Sequence, residues 1–191
     1  MPGVLELSDE SVMLRAPRKS DLDTVCDYWY RSPRTFLTQM GVDAKKLPSE
    51  DEFRGKFVRD SEQLIPDAQR ESCTLIIEYR GVLIGYHKLS HILYGQHGIF
   101  HAHIMKSEYR NKGVGGFTYP RALRVYFDRF NLMKVIFKTP AQNVGPNRIK
   151  EKMGLKSLRQ EKTDYPLHPD GMIVNIYEIY REQLDTLLKS K

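Results

Sequence analysis

One short segment of the sequence, Arg110-Asn-Lys-Gly-Val-Gly-Gly116, combines glycine with positive charge between a predicted strand and a predicted helix. Glycine allows the backbone to turn sharply and to approach a ligand with no Cβ in the way. The free N–H groups of the next helical turn, together with the helix dipole, suit a phosphate or pyrophosphate. Arg110 and Lys112 add cationic groups beside those donors. The segment therefore predicts an anion-binding loop, with an ordinary strand-to-helix turn as the alternative.

This loop fits neither of two common nucleotide-binding patterns. No Gly-Lys-Ser/Thr follows at the required spacing, which excludes a Walker loop. Thr118 stands where the dinucleotide fingerprint has its third glycine, three residues after Gly115. The loop alone therefore does not identify its ligand.

Two histidines on the strand before the loop are candidates for a general base. His101 and His103 alternate with Ala102, so their side chains share one face of the strand. An unperturbed histidine titrates near pH ~6.5, which suits proton transfer at neutral pH. Two ordinary packed or solvated strand histidines are the alternative. No carboxylate or thiolate completes a metal-ligand set with them, so we predict no metal site.

The elements that must position these residues follow from turn signals and hydrophobic periodicity. Three β-rich runs separated by turns predict an antiparallel meander, over residues 73–79, 82–90 and 97–105. The loop then leads into a helix reaching about Phe130, which Pro120 is expected to kink or loosen near its start. One face of this helix is aromatic and aliphatic, with Tyr119, Leu123, Tyr126, Phe127 and Phe130.

The remaining elements complete a layered α/β arrangement around a central sheet. Residues 11–15 read as a strand, a helix follows to Tyr30, and residues 31–48 read as a loop. Ser49 and Glu52 have capping-box spacing and begin another helix. A strand over 132–139, a helix over 146–153 and a strand over 172–180 follow. Strands and helices in this order predict a mixed α/β fold with a central sheet.

Composition excludes several classes of protein. The 191 residues are 40% hydrophobic and 28% charged, which predicts one compact domain over residues 1–191 and excludes a disordered chain. Two cysteines, Cys26 and Cys73, rule out a disulfide framework. The sequence shows neither a signal peptide nor a run of about 20 apolar residues, so we expect a cytoplasmic protein with no membrane partner. The net charge of +6 favours an anionic ligand without choosing one.

Several of these motifs together resemble the GNAT superfamily of N-acetyltransferases. Arg110-x-x-Gly113-x-Gly115 is similar to the acyl-CoA-binding signature of that family. The block Asn143-Val-Gly-Pro-Asn-Arg-Ile-Lys-Glu-Lys-Met-Gly-Leu155 resembles its second conserved block, and residues 12–22 resemble its opening strand and helix. The resemblance spans roughly residues 11–182 and is nearest to the branch that acetylates ribosomal-protein N-termini.

The resemblance implies a sheet in which two strands splay apart to form the acyl-CoA cleft. The sheet is then mixed, mostly antiparallel and flanked by helices. Acetyl-CoA is the implied co-substrate, with its pyrophosphate on the loop and its pantetheine arm along the strand that ends at Met105. The cofactor-binding residues implied are His103, Met105, Arg110, Asn111, Lys112, Gly113, Val114, Gly115, Gly116 and Asn143.

The sequence departs from the family in its proton-transfer residues. Ile99 and Phe100 occupy a region where the family often has a glutamate, so His101 or His103 becomes the candidate base. We favour His101, which shares the face of Ile99 and is farther from the implied pantetheine contacts. Lys150 occupies a position where many relatives have a tyrosine that protonates the leaving thiolate. Lys150 is therefore the third candidate catalytic residue, with a solvated surface lysine as the alternative.

The function implied is transfer of an acetyl group from acetyl-CoA to a primary amine by direct attack on the thioester. The acceptor is a peptide or protein N-terminus or a small-molecule amine. We expect residues 26–66 and 162–172 to determine which acceptor amine binds. A non-catalytic acyl-CoA-binding module and a basic nucleic-acid-binding domain are the alternatives. No basic-aromatic RNA-binding motif is present, so nucleic acid is not an expected partner. A homodimer is compatible with the resemblance.

Overall fold

The computed structural model describes residues 5–62, 65–163 and 165–189. Within these ranges, seven strands form one sheet: β1 (Val12–Arg15), β2 (Ser72–Tyr79), β3 (Val82–Leu93), β4 (His97–Ile104), β5 (Lys134–Pro140), β6 (Arg159–Lys162) and β7 (Ile173–Tyr180). The α-helices in the same ranges are α1 (Leu22–Tyr30), α2 (Arg34–Gln39), α3 (Glu50–Glu62), α4 (Val114–Phe130), α5 (Val144–Lys152) and α6 (Arg181–Lys189).

The sheet is mixed and mostly antiparallel, as predicted. Its strand order is β1-β2-β3-β4-β5-β7-β6, and β4 with β5 is the one parallel neighbour pair of the described sheet. These two strands are joined through α4, because a parallel connection needs a crossover. Their pairing covers three positions, from His97 opposite Lys134 to Ile99 opposite Ile136. Beyond Ile99, β4 keeps its bonds to β3 while β5 pairs with β7, so the two strands splay apart.

Helix α4 covers one face of the sheet with the apolar residues that the sequence predicted. Tyr126, Phe127 and Phe130 are fully buried, and Tyr119 contacts Phe100 of β4 at a ring distance of 5.0 Å. Each such ring contributes roughly 1.5–3 kcal/mol by leaving water. The helix runs unbroken through Pro120, although the sequence predicted a kink or loosened turns there.

Helix α1 is held on the opposite side of the sheet by a buried ion pair. Arg15 of β1 lies 2.7 Å from Asp21, which precedes α1, and 2.6 Å from Glu78 of β2. Burial opposes ionisation of Asp21, but hydrogen bonds from Arg15 and from the Arg18 backbone N–H lower its pKa overall. This contact fixes the helix that carries Tyr28 and Trp29 to the sheet.

Three elements were not predicted from the sequence. Residues 31–48 were expected to form a loop, but they contain α2, a six-residue helix too short to show periodicity. Strand β6 has the sequence Arg-Gln-Glu-Lys and lies at the sheet edge, so it lacks the apolar alternation that marks a half-buried strand. Helix α6 follows β7 directly and buries Leu184.

The start of α3 was predicted correctly. The Ser49 backbone N–H donates to Glu52 at 2.9 Å, and the Glu52 N–H donates to Ser49 Oγ at 3.3 Å, which completes the expected capping box. Even α4, the longest of the described helices at 17 residues, falls short of what a membrane span requires.

Candidate active site

A large cavity opens where β4 and β5 separate. Its volume is about 1980 Å³, and it extends from the start of α4 to the loop after β6. Phe100 lines the cavity where the strands part, packed 5.3 Å from Phe137 of β5 and 5.0 Å from Tyr119. These rings keep the two strands apart, so the β4 edge beyond Ile99 has no neighbouring strand on that side.

The start of α4 presents free backbone donors to this cavity. Gly113 caps the helix with a left-handed φ of +84°, a conformation that favours glycine. The Phe117 N–H bonds to the Gly113 carbonyl, whereas N–H groups in the first turn of a helix have no intrahelical partner. A Cβ built on Gly116 would meet no atom within 4 Å, and Gly116 lines the cavity. The space in front of these donors is therefore open.

Arg110 uses its guanidinium within the protein. It donates to the carbonyls of Ile104 (2.9 Å) and Met105 (2.7 Å) and lies 4.0 Å from the ring centre of Phe36. The Met105 N–H donates in turn to the Ile84 carbonyl. Arg110 therefore fixes the end of β4 at the entrance to the loop, while remaining at the cavity wall.

The other cofactor-binding residues predicted in and near the loop divide into two groups. The structure brings Asn111, Gly113, Val114, Gly115 and Gly116 together at the cavity wall. Lys112 and Met105 do not line it. The Gly115 position also serves packing, because a Cβ there would come within 2.6 Å of Ile149 Cδ1 on α5.

His101 is half-buried in the cavity and belongs to a chain of polar groups. Its Nε2 lies 2.8 Å from Ser90 Oγ and 3.4 Å from the Tyr165 hydroxyl. Ser90 Oγ also lies 3.0 Å from Nδ1 of His91, which is exposed. Burial, followed by the charges of His103 and Lys88, lowers the pKa of His101 to about 3. The imidazole is therefore neutral throughout the physiological pH range.

His103 lies two residues further along, enclosed by aromatic rings. The centres of the Tyr86, Trp29 and Tyr28 rings lie 4.8, 5.0 and 5.7 Å from that of the imidazole. His103 Nδ1 lies 3.2 Å from the Tyr28 hydroxyl. Burial and the charge of Lys88 lower the pKa of His103 to about 3. Both histidines line the cavity on the same face, but His101 has the polar neighbours that could accept or pass on a proton.

Lys150 is buried, so it is not the solvated surface lysine that the sequence left open as an alternative. Its residue is 3% exposed, and its Nζ lies 5.2 to 5.9 Å from the ring centres of Phe137, Tyr119 and Tyr177. No hydrogen bond or ion pair links its amine to another described residue. Burial lowers the pKa of Lys150 to about 7, and the residue lines the cavity. Its amine therefore exchanges a proton near neutral pH.

Asn143 and Asn147 shape the start of α5. The Asn147 amide donates to the carbonyls of Pro140 and Asn143, and its Oδ1 accepts from Tyr177 and Asn175. Asn147 thus ties α5 to the end of β5 and to β7. Asn143 is half-buried at the cavity wall, and its side chain makes no hydrogen bond to another described residue.

Sequence reasoning did not single out Asn147, although it lies in the block that carried the resemblance. It also missed Lys88, Ser90 and Tyr165, which surround the histidines. The signal for Lys88 and Ser90 was the alternation of β3, which places them on the face of Tyr86. Tyr165 gave no local signal, because the loop after β6 reaches the histidines only through the tertiary fold.

In the two segments expected to determine acceptor specificity, residues 26–66 and 162–172, the residues Gln63, Leu64 and Asp164 lie outside the described ranges. Among described residues, no three His, Cys, Asp or Glu side chains are arranged to hold a metal ion.

Comparison with known proteins agrees with this geometry. The profile of the acetyltransferase (GNAT) domain matches residues 11–156. The spermidine N-acetyltransferase of Vibrio cholerae, solved with CoA and spermine, superposes with a TM-score of 0.75 at 18% identity, covering 92% of this chain and 99% of that one. A search of curated protein sequences finds no significant match.

Two further solved structures share the fold. RimL, a ribosomal L7/L12 α-N-protein acetyltransferase solved with CoA, gives a TM-score of 0.73 at 14% identity, covering 93% of this chain and 98% of that one. The microcin C7 self-immunity acetyltransferase MccE, solved with acetyl-CoA and AMP, gives 0.73 at 12% identity, covering 90% and 93%. At these identities the likeness concerns the fold.

Proposed function

Because the chain belongs to the acetyltransferase (GNAT) family, we propose that it transfers the acetyl group of acetyl-CoA to a primary amine. The observation that carries the proposal is the open fork between β4 and β5, which leads to free backbone donors at the start of α4. The similar structures include enzymes named for spermidine and for a ribosomal protein, so they favour no single acceptor. Membership of the ribosomal-protein branch stays a prediction.

The residues around the fork fit acetyl-CoA by chemistry and by space. The first turn of α4 offers N–H groups to a pyrophosphate, and Gly116 leaves room for it. The unpaired β4 edge suits an extended amide-containing chain such as pantetheine. Asn143 adds a free amide at the cavity wall, and Arg148 and Lys152 of α5 add cations there. When bound, acetyl-CoA supplies a thioester carbonyl for attack by the amine and a thiol as leaving group.

His101 is the proposed acceptor of the amine proton. Its pKa of about 3 keeps the ring unprotonated but also makes it a weak base on its own. Ser90 can compensate for this weak basicity by taking the proton onward, because its hydroxyl lies between His101 Nε2 and exposed His91. A hydroxyl accepts one hydrogen bond while donating another, so it can pass a proton from His101 towards solvent. His103, enclosed by rings, is the second candidate for the same role.

Lys150 is the proposed donor to the leaving thiolate. Its pKa of about 7 means that both the ammonium and the neutral amine are accessible near neutral pH. Because its amine has no partner among the described residues, an anion formed beside it would be its first counter-charge. Burial makes that interaction stronger than it would be in water.

Substitution of Gly116 tests the binding site. We expect Gly116→Val to weaken acetyl-CoA binding at least about tenfold, because its side chain would fill the space before the α4 donors. Titration calorimetry measures this directly. Gly55→Val in α3 is the matched control, since Gly55 is also helical and lies away from the cavity. Equal affinity of Gly116→Val and wild type would refute the loop assignment.

Substitution of His101 tests the proton acceptor. We expect His101→Ala to lower turnover about 100-fold, the lower range for a lost general base, and to leave acetyl-CoA affinity nearly unchanged. Thiol release over a panel of primary amines measures turnover. Unchanged turnover would remove His101 from the mechanism. Acetyl-CoA binding without thiol release on any amine in the wild type would instead indicate a non-catalytic binding module.

Substitution of Lys150 tests the proton donor through the pH dependence. A required ammonium is present below its pKa of about 7 and is lost as the pH rises. The wild-type kcat should therefore contain a term that declines above pH ~7, and Lys150→Met should lower kcat and remove that decline. Measurement uses kcat at saturating acetyl-CoA and amine from pH 5 to 9. A decline of the same size and position in Lys150→Met would contradict this role.

A further inference from the structure

The cavity has a second half, away from α4, which is lined by aromatic side chains. We call it the aromatic half. It lies on the face of β4 that carries His101 and His103, whereas Phe100 points to α4. Its rings come from α1, α2, α3, β3 and the loop after β6, and they are Tyr28, Trp29, Phe36, Phe53, Tyr86 and Tyr165. This lining, with two neutral imidazoles, favours an apolar or aromatic body in the acceptor.

Negative charge is scarce around the whole cavity. Nine lysines and arginines line it within the described residues, against two carboxylates, Asp60 and Glu71. Asp60 is already engaged, because it accepts from Ser72 Oγ at 3.2 Å and lies 3.7 Å from Lys88 Nζ. Glu71 is exposed at the rim. An acceptor with several positive charges would therefore meet cations with no free carboxylate inside the cavity.

Lys88 is the cation that faces the proposed proton acceptor. Its side chain is 28% exposed and projects from β3 directly opposite His101. Burial lowers the pKa of Lys88, Asp60 opposes that change, and the charge of Lys56 adds to it. Lys88 thus pairs with Asp60 while Lys56 repels it. Arg59 lies one residue before Asp60 on α3 and also lines the cavity. This arrangement has a surplus of positive charge that an anionic group would balance.

We propose that the acceptor is an amine with an apolar body and an anionic group, carboxylate or phosphate, which binds Lys88 with help from Lys56 and Arg59. The inference rests on the proposed acetyl transfer and names its acceptor class. Opposed residues in an antiparallel pair lie about 4.5–5.5 Å apart at their Cα atoms. Their side chains point to the same face of the sheet, and the charge of Lys88 acts on the His101 imidazole. An anion on Lys88 therefore places the amine near His101 when the two groups are only a few bonds apart. Polyamines do not meet this requirement.

Binding of matched amines to the full chain saturated with CoA tests the inference. Tyrosine differs from tyramine by one carboxylate, the α-aminophosphonate analogue of tyrosine differs from tyramine by one phosphonate that stands for phosphate, and spermidine provides the polycation. Titration calorimetry should show at least about tenfold tighter binding for an anionic amine than for the matched amine that lacks the anionic group. Spermidine should bind most weakly. The pair that shows the larger difference identifies carboxylate or phosphate.

Variants assign that preference to Lys88. Lys88→Met should abolish the difference within the preferred pair, whereas Lys88→Arg should keep most of it and shows that the substituted site still folds. Lys45→Met is the control, because Lys45 is exposed and lies outside the cavity. No preference for either anion, tighter binding of spermidine, or a preference that survives in Lys88→Met would each overturn the inference.

The binding measurement separates this inference from the proposed function. An anion preference without thiol release would leave the acceptor site standing and refute acetyl transfer to these amines. Thiol release with spermidine and no anion preference would support acetyl transfer and refute the acceptor class. Absence of detectable binding by every anionic probe at millimolar concentration would also overturn the inference.

Discussion

The structure depends on the early end of the pairing between β4 and β5. Three paired positions join them, and aromatic rings from β4, β5 and α4 then hold the strands apart. An unpaired strand edge inside a protein leaves backbone groups that need a partner. A ligand with its own amide groups can pair with that edge. The free N–H groups in the first turn of α4 can bind a negatively charged group, such as a pyrophosphate, at the other end of the same ligand.

Burial without counter-charge is the second property of the site. Lys150 is buried, His101 and His103 are half-buried at the cavity wall, and burial is the largest cause of the lowered pKa in all three. The histidines are consequently neutral, and the lysine is balanced between its two forms near pH 7. The cavity thus holds groups that can accept and release protons while remaining short of negative charge. That shortage connects the proposed mechanism with the proposed acceptor.

Much of the fold could be predicted because its signals are local. The meander, the apolar face of α4 and the capping box of α3 each occupy a short stretch with clear periodicity or spacing. Helix α2 is too short for such a signal, and β6 is polar because it lies at an edge. The site was harder to predict. Alternation placed His101 and His103 on one face, but their low pKa values arise from α1, β3 and the loop after β6, which only the tertiary fold brings together. The burial of Lys150 among three rings likewise depends on β5, β7 and α4.

Amide hydrogen exchange with and without CoA, resolved residue by residue by NMR, tests the central claim most directly. Binding should slow exchange at Gly115 and Gly116 and at the β4 amides of Ala102 and Ile104, because these N–H groups face the open fork. The N–H groups of His101 and His103, which already bond to β3 within the sheet, should change little. CoA binding that protects other regions and leaves both the α4 start and the β4 edge unchanged would contradict the account.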